Sequence, residues 1–185
     1  MKNRALIIIA DKNQYGISHK LIAPTIKLLY TKRGFKCTVI NLHKDEFDAS
    51  LIDSAPISSI VRSYKHLIKT SDHIHFITNV HLGGLSPALE GFLEQVLTCG
   101  FAFDFDGVKT KGRLLKKRAF FHLQHTNVTR IKINSAYLRI RFSILQRIFK
   151  NITISQSDIR WVDRDKKTKG INKLRNRLIK KLFKK

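Results

Sequence analysis

Short apolar runs alternate with amphipathic stretches along the chain. Residues 5–10 read ALIIIA, a continuous run rich in β-branched side chains, and the polar residues 11–13 follow it directly. An uninterrupted run of this kind is typical of a strand that is buried on both faces of a parallel sheet. The sequence predicts further strands at residues 35–42, 73–78, 118–124 and 152–162.

Helical spacing of apolar residues fills the intervals between the predicted strands. Ser18 is the predicted N-cap of the first helix, and Gly34 is suited to end that helix. The predicted apolar stripe of this helix consists of Leu21, Ile22, Ile26, Leu28 and Leu29. Further helices are predicted at residues 57–69, 87–97, 137–149 and 171–183. The alternation predicts one α/β domain over residues 1–185, with a parallel sheet and helices on both faces.

Residues 87–105, PALEGFLEQVLTCGFAFDF, join a helical pattern to an alternating aromatic pattern. The helical part predicts an inward face that consists of Leu89, Phe92, Leu93 and Val96. Phenylalanine then recurs at the alternate positions Phe101, Phe103 and Phe105. We expect these three rings on a loop at the ligand-binding side of the sheet.

The charge of the chain is concentrated in its second part. The net charge is +23; residues 1–108 hold 12 Lys and Arg against 10 Asp and Glu, whereas residues 109–185 hold 24 against 3. An acidic partner such as nucleic acid, anionic lipid or a phosphorylated cofactor would suit the basic part. The alternative is a general Lys/Arg bias on solvated faces.

The composition also argues against several classes of protein. The longest apolar run near the N-terminus, residues 5–10, is far shorter than the roughly 20 residues of a membrane span, and no signal-peptide pattern is present. Cys37 and Cys99 have no metal-ligand spacing and form no disulfide framework. We therefore expect a cytoplasmic protein.

Three predicted loops follow the carboxyl ends of strands, where a doubly wound sheet binds ligands. They span residues 11–19, 79–85 and 124–129. The first loop leads into Ser18, His19 and Lys20 at a helix start, which favours an anion, although Ser18 could serve as an N-cap only. The first loop has a single glycine, so neither a dinucleotide fingerprint nor a Walker loop is present.

No established pattern of catalytic residues stands out. His81 lies beside two glycines, His122 is expected inside a strand, and His125 falls on the third loop. Taken singly, each histidine is expected to be a surface or core residue. Asp104 and Asp106 alternate with the phenylalanines, and two carboxylates on a loop are more often solvated than catalytic.

Residues 71–103 resemble the NAD(P)H:quinone oxidoreductase family, whose members have the flavodoxin-like fold. The matching positions are Ser71-Asp72, Pro87-Ala88-Leu89, Gly91 and Gly100-Phe101-Ala102-Phe103. The segment KTKGRLLKKRAFF, residues 109–121, is similar to the segment that leads into the fourth strand in that family. The resemblance implies a five-stranded parallel sheet in the order 2-1-3-4-5.

The resemblance also implies an enzyme that binds FMN or FAD, takes hydride from NADH or NADPH, and passes two electrons to a quinone or similar acceptor. The flavin phosphate would lie at Ser18, His19 and Lys20, and the loop of Phe103 would line the flavin pocket and meet the partner subunit of a homodimer. The flavin ring would lie between two groups of residues, which are Asn79, Val80, His81 and Leu82 on one side and Gln124, His125, Thr126 and Asn127 on the other.

Several flavin-facing positions depart from the family pattern. Residues 79–82 replace a proline followed by aromatic residues, and residues 124–127 lack the glycines usual in the family. A second hypothesis is therefore a redox-inactive binding or regulatory protein of the same fold. A third is a binder of nucleic acid or anionic membrane that uses the basic part, with residues 171–183 lying on the inner membrane face. Those residues could instead bury an apolar stripe against the sheet.

Overall fold

Five parallel strands form the central sheet. The computed structural model describes residues 3–45, 47–50, 58–80, 84–125, 136–158 and 176. In chain order its elements are β1 (Arg4–Ala10), a π-helical turn (Ser18–Ile22), α1 (Ala23–Lys32), β2 (Lys36–Asn41), α2 (Ser59–Thr70), β3 (His73–Val80), α3 (Pro87–Val96), β4 (Phe103–Phe105), β5 (Thr110–Gly112), β6 (Leu114–His125), α4 (Ala136–Ile148) and β7 (Phe149–Asp158). The sheet order is β2-β1-β3-β6-β7, which confirms the predicted order 2-1-3-4-5 of the sheet strands.

Helices cover both faces of the sheet, as predicted. Ile7 and Ile9 of β1 pack with the buried side of α1, and Leu6 and Ile8 pack on the opposite face, where α2, α3 and α4 lie. This alternation explains the continuous apolar run, since every side chain of β1 after Arg4 is buried. The predicted inward face of α3, Leu89, Phe92, Leu93 and Val96, is also buried. Residues 51–57 and 159–162 lie outside the described residues, as does the predicted helix 171–183 except for residue 176.

The start of the first helix differs from the prediction. Ser18 is the first residue of a π-helical turn whose N-cap is Ile17, and its hydroxyl donates to the carboxylate of Asp11 instead of capping a helix. The buried stripe of α1 consists of Ile22, Ala23, Ile26 and Tyr30, whereas Leu28 is 56% exposed. The prediction for Leu28 is therefore wrong, since residue 30 and not residue 28 continues the four-residue spacing from Ile22 and Ile26.

The phenylalanines after α3 form a hairpin at the amino-terminal edge of the sheet. β4 and β5 pair antiparallel, and the Arg113 N–H donates to the Ala102 carbonyl at 2.8 Å directly before β6 begins. Helix α3 starts after the carboxyl end of β3 and runs back along the sheet. The chain therefore leaves the helix at the amino-terminal edge of the sheet. The expectation that Phe103 lies on a loop at the ligand-binding side is therefore wrong. Phe105 is 58% exposed.

A ladder of polar side chains crosses the sheet beneath α1. Nδ1 of His75 lies 3.1 Å from Nε2 of His122, and Nδ1 of His122 lies 2.7 Å from the Ser155 hydroxyl. The His75 ring stacks on Phe120 with a 4.6 Å centroid separation, and its Nε2 is buried without a hydrogen-bond partner among the described residues. Burial lowers the pKa of His75 well below its usual value, and His122 and His73 lower it further.

Replacement of His75 is expected to change how stability depends on pH. Unfolded His75 takes up a proton near pH ~6.5 and the folded residue does not, so stability is lost as pH falls below about 6.5, by up to about 1.4 kcal/mol per pH unit. In His75→Asn this contribution should vanish. Urea denaturation at about pH 7 and about pH 5 measures it, with His66→Asn on the exposed side of α2 as the matched control. Equal pH slopes in the wild type and His75→Asn would contradict the expectation.

Gly91 lets α3 approach the segment that follows β2. A Cβ at this position would lie 2.2 Å from the Ala49 carbonyl oxygen and 2.8 Å from the Ala49 Cα. Gly91→Ala would gain about 1 kcal/mol of helix propensity. The clash with backbone is the larger effect, and we expect a net destabilisation of about 1–3 kcal/mol in urea denaturation. Lys69→Ala on the exposed side of α2 is the control, and a stabilised Gly91→Ala protein would disprove the close approach.

Candidate functional site

Three strands of the sheet end side by side at one edge. Ala10 of β1 pairs with Thr78 of β3, and Asn79 of β3 pairs with Gln124 of β6. Side chains paired across parallel strands point to the same face, and Asn79 and Gln124 therefore lie together on the face that α1 covers. The loop after β1 lies beside them. The strand order reverses at this point, because β2 lies on one side of β1 and β3 lies on the other.

The carboxylate of Asp11 is the centre of this site. Its Oδ1 accepts the Asn13 N–H at 2.9 Å and the Asn79 side-chain amide at 3.0 Å, and its Oδ2 accepts the Ser18 hydroxyl. Asp11 is only 4% exposed. The carboxylate is therefore buried and hydrogen-bonded by three donors from two separate segments of the chain.

Gln124 completes the network from β6. Its side-chain nitrogen donates to the Ser18 oxygen, and both residues are fully buried. Since the Ser18 hydroxyl gives its proton to Asp11, it can only accept from Gln124, which fixes the orientation of the amide. Oε1 of Gln124 and Oδ1 of Asn79 are consequently buried acceptors with no partner among the described residues. Buried polar atoms without partners are rare, and these two are available to a ligand that can donate.

The three residues predicted to hold a phosphate do lie together, and each is engaged within the chain. The Ser18 hydroxyl donates to Asp11. Nε2 of His19 lies 3.0 Å from the Asp11 carbonyl oxygen, which can only accept, so this nitrogen carries the proton. The Lys20 ammonium lies 5.2 Å from the centre of the Tyr15 ring.

The loop after β1 is wrapped closely around the carboxylate. The N–H of Gly16 donates to the Asn13 carbonyl at 2.9 Å, and the N–H of Lys20 donates to the Gly16 carbonyl at 3.0 Å. A Cβ at Gly16 would lie 3.3 Å from Oδ2 of Asp11 and 3.0 Å from the Asn13 carbonyl oxygen. The loop thus lies close against the carboxylate of Asp11.

A serine joins the start of α3 to this edge of the sheet. The Ser86 hydroxyl donates to the Ala10 carbonyl at 3.1 Å, accepts the Thr78 hydroxyl at 2.8 Å and accepts the Leu89 N–H at 3.4 Å as the N-cap of α3. The contacts are buried. They hold the ends of β1 and β3 in a fixed position relative to α3.

The other predicted site residues are placed differently. Val80 is buried in the core on the far face of the sheet, with α2 and α3, so it does not share the face of Asn79. His125 is the last residue of β6. His81, Leu82, Thr126 and Asn127 lie outside the described residues. Phe103 lies at the opposite edge of the sheet from Ser18 and Gln124, and the chain itself does not bring it to the site.

Asp11 is the residue that the sequence analysis missed. The sequence shows it only as the first charged residue after the apolar run of β1. A buried strand that ends directly in a lone carboxylate is a signal, because an aspartate next to a buried segment needs donors. The sequence alone did not indicate whether this side chain turns inward or towards solvent.

The flavin that the sequence resemblance implies fits this site in part. A flavin phosphate would meet the buried Asp11 carboxylate, and two unit charges about 4 Å apart repel by about 4 kcal/mol at an effective dielectric constant of about 20. The donors around Asp11 are already used. The free oxygens of Asn79 and Gln124 suit hydroxyl donors such as those of a ribityl chain. The residues thus fit the neutral, hydroxylated part of a flavin and not its phosphate.

The part of the chain that the structure describes has neither a metal-binding cluster nor a helix suited to cross a membrane. Within it, no group of three or more His, Cys, Asp and Glu side chains is placed to hold a metal ion. No helix among these residues is both long enough and apolar enough to cross a membrane.

Several solved structures share the fold at low sequence identity. A protein from Streptococcus mutans UA159, Smu.1420, is 18% identical, with a TM-score of 0.75 over 94% of this chain and 97% of its own. An NAD(P)H:quinone oxidoreductase from Methanothermobacter marburgensis is 15% identical, with a TM-score of 0.75 over 95% and 97%. An FMN-dependent NADH-azoreductase from Bacillus anthracis str. Ames Ancestor, solved with FMN, is 13% identical, with a TM-score of 0.70 over 97% and 99%.

These identities are low, and the likenesses therefore show the fold alone. No curated protein matches the chain. A family model with the description flavodoxin-like fold matches residues 3–182. Because this match spans nearly the whole chain, the chain belongs to the Flavodoxin_2 family of flavodoxin-like proteins.

Proposed function

We propose that the protein is a flavin-dependent oxidoreductase that takes hydride from NADH or NADPH and reduces a quinone-like or similar acceptor by two electrons. The family membership and the names of similar structures support this function. The observation that carries it is the buried polar cluster of Asp11, Ser18, Asn79 and Gln124 at the carboxyl edge, in which two side-chain oxygens have no partner among the described residues. Ligands of doubly wound sheets bind at this edge.

The residues of the site position a ligand and do not perform acid–base chemistry themselves. A bound flavin supplies the hydride-accepting ring, and the protein needs to bind it, orient it and exclude water. The free oxygens of Gln124 and Asn79 would accept hydrogen bonds from ligand hydroxyls. The Ser86 contacts to Ala10 and Thr78 hold the edge rigid beneath the ligand. This division of roles agrees with the lack of a catalytic pair in the sequence.

The identity of the flavin and the oligomeric state of the protein are parts of this proposal. FMN is the cofactor of the azoreductase with the similar fold, and FAD is the alternative. A homodimer would explain the position of Phe103, because a residue at the opposite edge can approach the site only from a second copy of the chain. Much of the basic part, residues 126–135 and 159–175, lies outside the described residues, so contact with a polyanion and a peripheral place at a membrane stay predictions.

A second candidate function is a redox-inactive binding or regulatory protein of the same fold. The specific observation in its favour is the Asp11 carboxylate inside the loop after β1, which takes up the Ser18 hydroxyl. A protein of this kind would keep the scaffold and bind a different ligand, or a partner protein, at the carboxyl edge. It would not oxidise NADH or NADPH, and this separates the two functions.

The test is flavin binding and turnover by the purified full chain. We expect quenching of flavin fluorescence when riboflavin, FMN or FAD is titrated in, and flavin-dependent oxidation of NADH or NADPH when a quinone is present. Gln124→Met keeps the length of the side chain and removes its free oxygen together with the nitrogen that donates to Ser18. It should weaken flavin binding about five- to tenfold, since a buried hydrogen bond of about 1–1.5 kcal/mol is lost.

Gln146→Met on the exposed side of α4 is the matched control and should bind flavin as the wild type does. Failure of the wild type to bind any of the three flavins, together with no oxidation of NADH or NADPH, rules the proposed enzyme out in favour of the second candidate function. Equal flavin affinity of Gln124→Met and the wild type would instead show that flavin binds elsewhere.

A further inference from the structure

The loop after β1 is folded around an anion that belongs to the chain itself. In a doubly wound sheet this loop and the helix start beyond it form the usual anion site. Here the Asn13 N–H, the Asn79 amide and the Ser18 hydroxyl all donate to the Asp11 carboxylate. Three of the donors at this edge therefore already hold an internal anion.

Asp11 has little freedom to leave this position. It is 4% exposed, and a Cβ at Gly16 would lie 3.3 Å from its Oδ2. Rotation of the side chain towards solvent would leave the Ser18 hydroxyl and the Asn79 amide without an acceptor. Loss of both bonds in a buried site is costly, so the carboxylate stays in the loop when a ligand arrives.

Gln124 provides an independent indication of what the site binds. The side chain is fully buried, its nitrogen is used by Ser18, and its Oε1 has no partner among the described residues. Oδ1 of Asn79 is likewise buried and has no hydrogen-bond partner among the described residues. Both free atoms are acceptors, whereas a phosphate at neutral pH offers acceptors almost exclusively. Hydroxyl and N–H groups of a neutral ligand are the complementary partners.

We propose that Asp11 is a built-in anion that takes the place of a ligand phosphate, so that the site binds an unphosphorylated, hydroxyl-rich flavin such as riboflavin in preference to FMN. The inference rests on the proposed function, because it names the form of the flavin that the same site takes. Charge repulsion at Asp11 opposes the nucleotide, and the free oxygens of Gln124 and Asn79 hold the hydroxylated chain.

The experiment is a titration of the purified full chain with riboflavin and with FMN, followed by flavin fluorescence. Riboflavin is expected to bind the wild type at least as tightly as FMN does. Asp11→Asn removes the charge with almost no change in volume. It should raise the affinity for FMN by about tenfold or more, because it removes the repulsion between carboxylate and phosphate, and change that for riboflavin by less than about threefold.

Asp104→Asn is the matched control for net charge. Asp104 lies in the hairpin at the opposite edge of the sheet, where it pairs with Arg113 at 2.8 Å on the surface. Its replacement removes one negative charge, as Asp11→Asn does, at a distance from the site. The affinity ratio of FMN to riboflavin should stay at the wild-type value in Asp104→Asn. An equal rise of this affinity ratio in Asp11→Asn and Asp104→Asn would assign the effect to overall charge and overturn the proposal.

Inorganic phosphate is the probe that does not depend on flavin. Phosphate should raise the thermal unfolding midpoint of Asp11→Asn more than that of the wild type, because the variant lacks the buried charge that repels an anion at the loop after β1. An equal response of the two proteins would overturn the role of Asp11. If Asp11→Asn does not fold, the FMN-to-riboflavin ratio of the wild type decides.

The outcomes separate this inference from the proposed function. FMN binding to the wild type more than about tenfold tighter than riboflavin overturns the inference and supports a flavin enzyme of the nucleotide-binding kind. If neither flavin binds the wild type or Asp11→Asn, the proposed function fails, and the response to inorganic phosphate then decides the role of Asp11.

Discussion

Parallel pairing in register between β1, β3 and β6 is the constraint on which the site depends. Asn79 is paired with Gln124, and the pairing of β1 with β3 ends at Ala10 and Thr78, one residue earlier. A slip of one residue in either pairing would turn the side chains of a whole strand to the other face. The network around Asp11 would then lose the Asn79 amide or the Gln124 amide. Burial of β1 on both faces therefore fixes the site as firmly as it fixes the core.

The overall charge and the local charge of the protein act over different distances. The net charge of +23 attracts anions towards the surface and raises the rate of encounter. Asp11 acts only at contact, because it is buried within the loop after β1. A phosphorylated molecule such as NADPH can therefore be drawn to the protein without its phosphate being held at Asp11. Attraction of an anion to the protein and selection of the bound ligand are therefore separate properties. The first depends on the net charge of the chain, and the second depends on Asp11.

Patterns that depend on neighbours in the sequence were predicted well. The strands and the inward face of α3 follow from apolar spacing, which burial on the sheet imposes. The role of Asp11 could not be predicted, because its Asn79 partner is 68 residues away and Gln124 bonds Ser18 across 106 residues. The prediction of the sheet edge at which Phe103 lies was wrong for another reason. The direction in which α3 runs, and not the residue pattern, decides where the next segment lies.

The π-helical turn makes the site sensitive to chain length. The Ala23 N–H bonds to the Ser18 carbonyl, five residues back, where an α-helix would bond four residues back. Removal of one residue from this turn would allow a regular α-helix, and Ser18 would swing about 100° around the axis relative to Ile26 and Tyr30. The hydroxyl would leave Asp11 while the core stayed packed. An insertion or deletion of one residue in this turn would thus make or break the contact between Ser18 and Asp11 without exchange of any side chain.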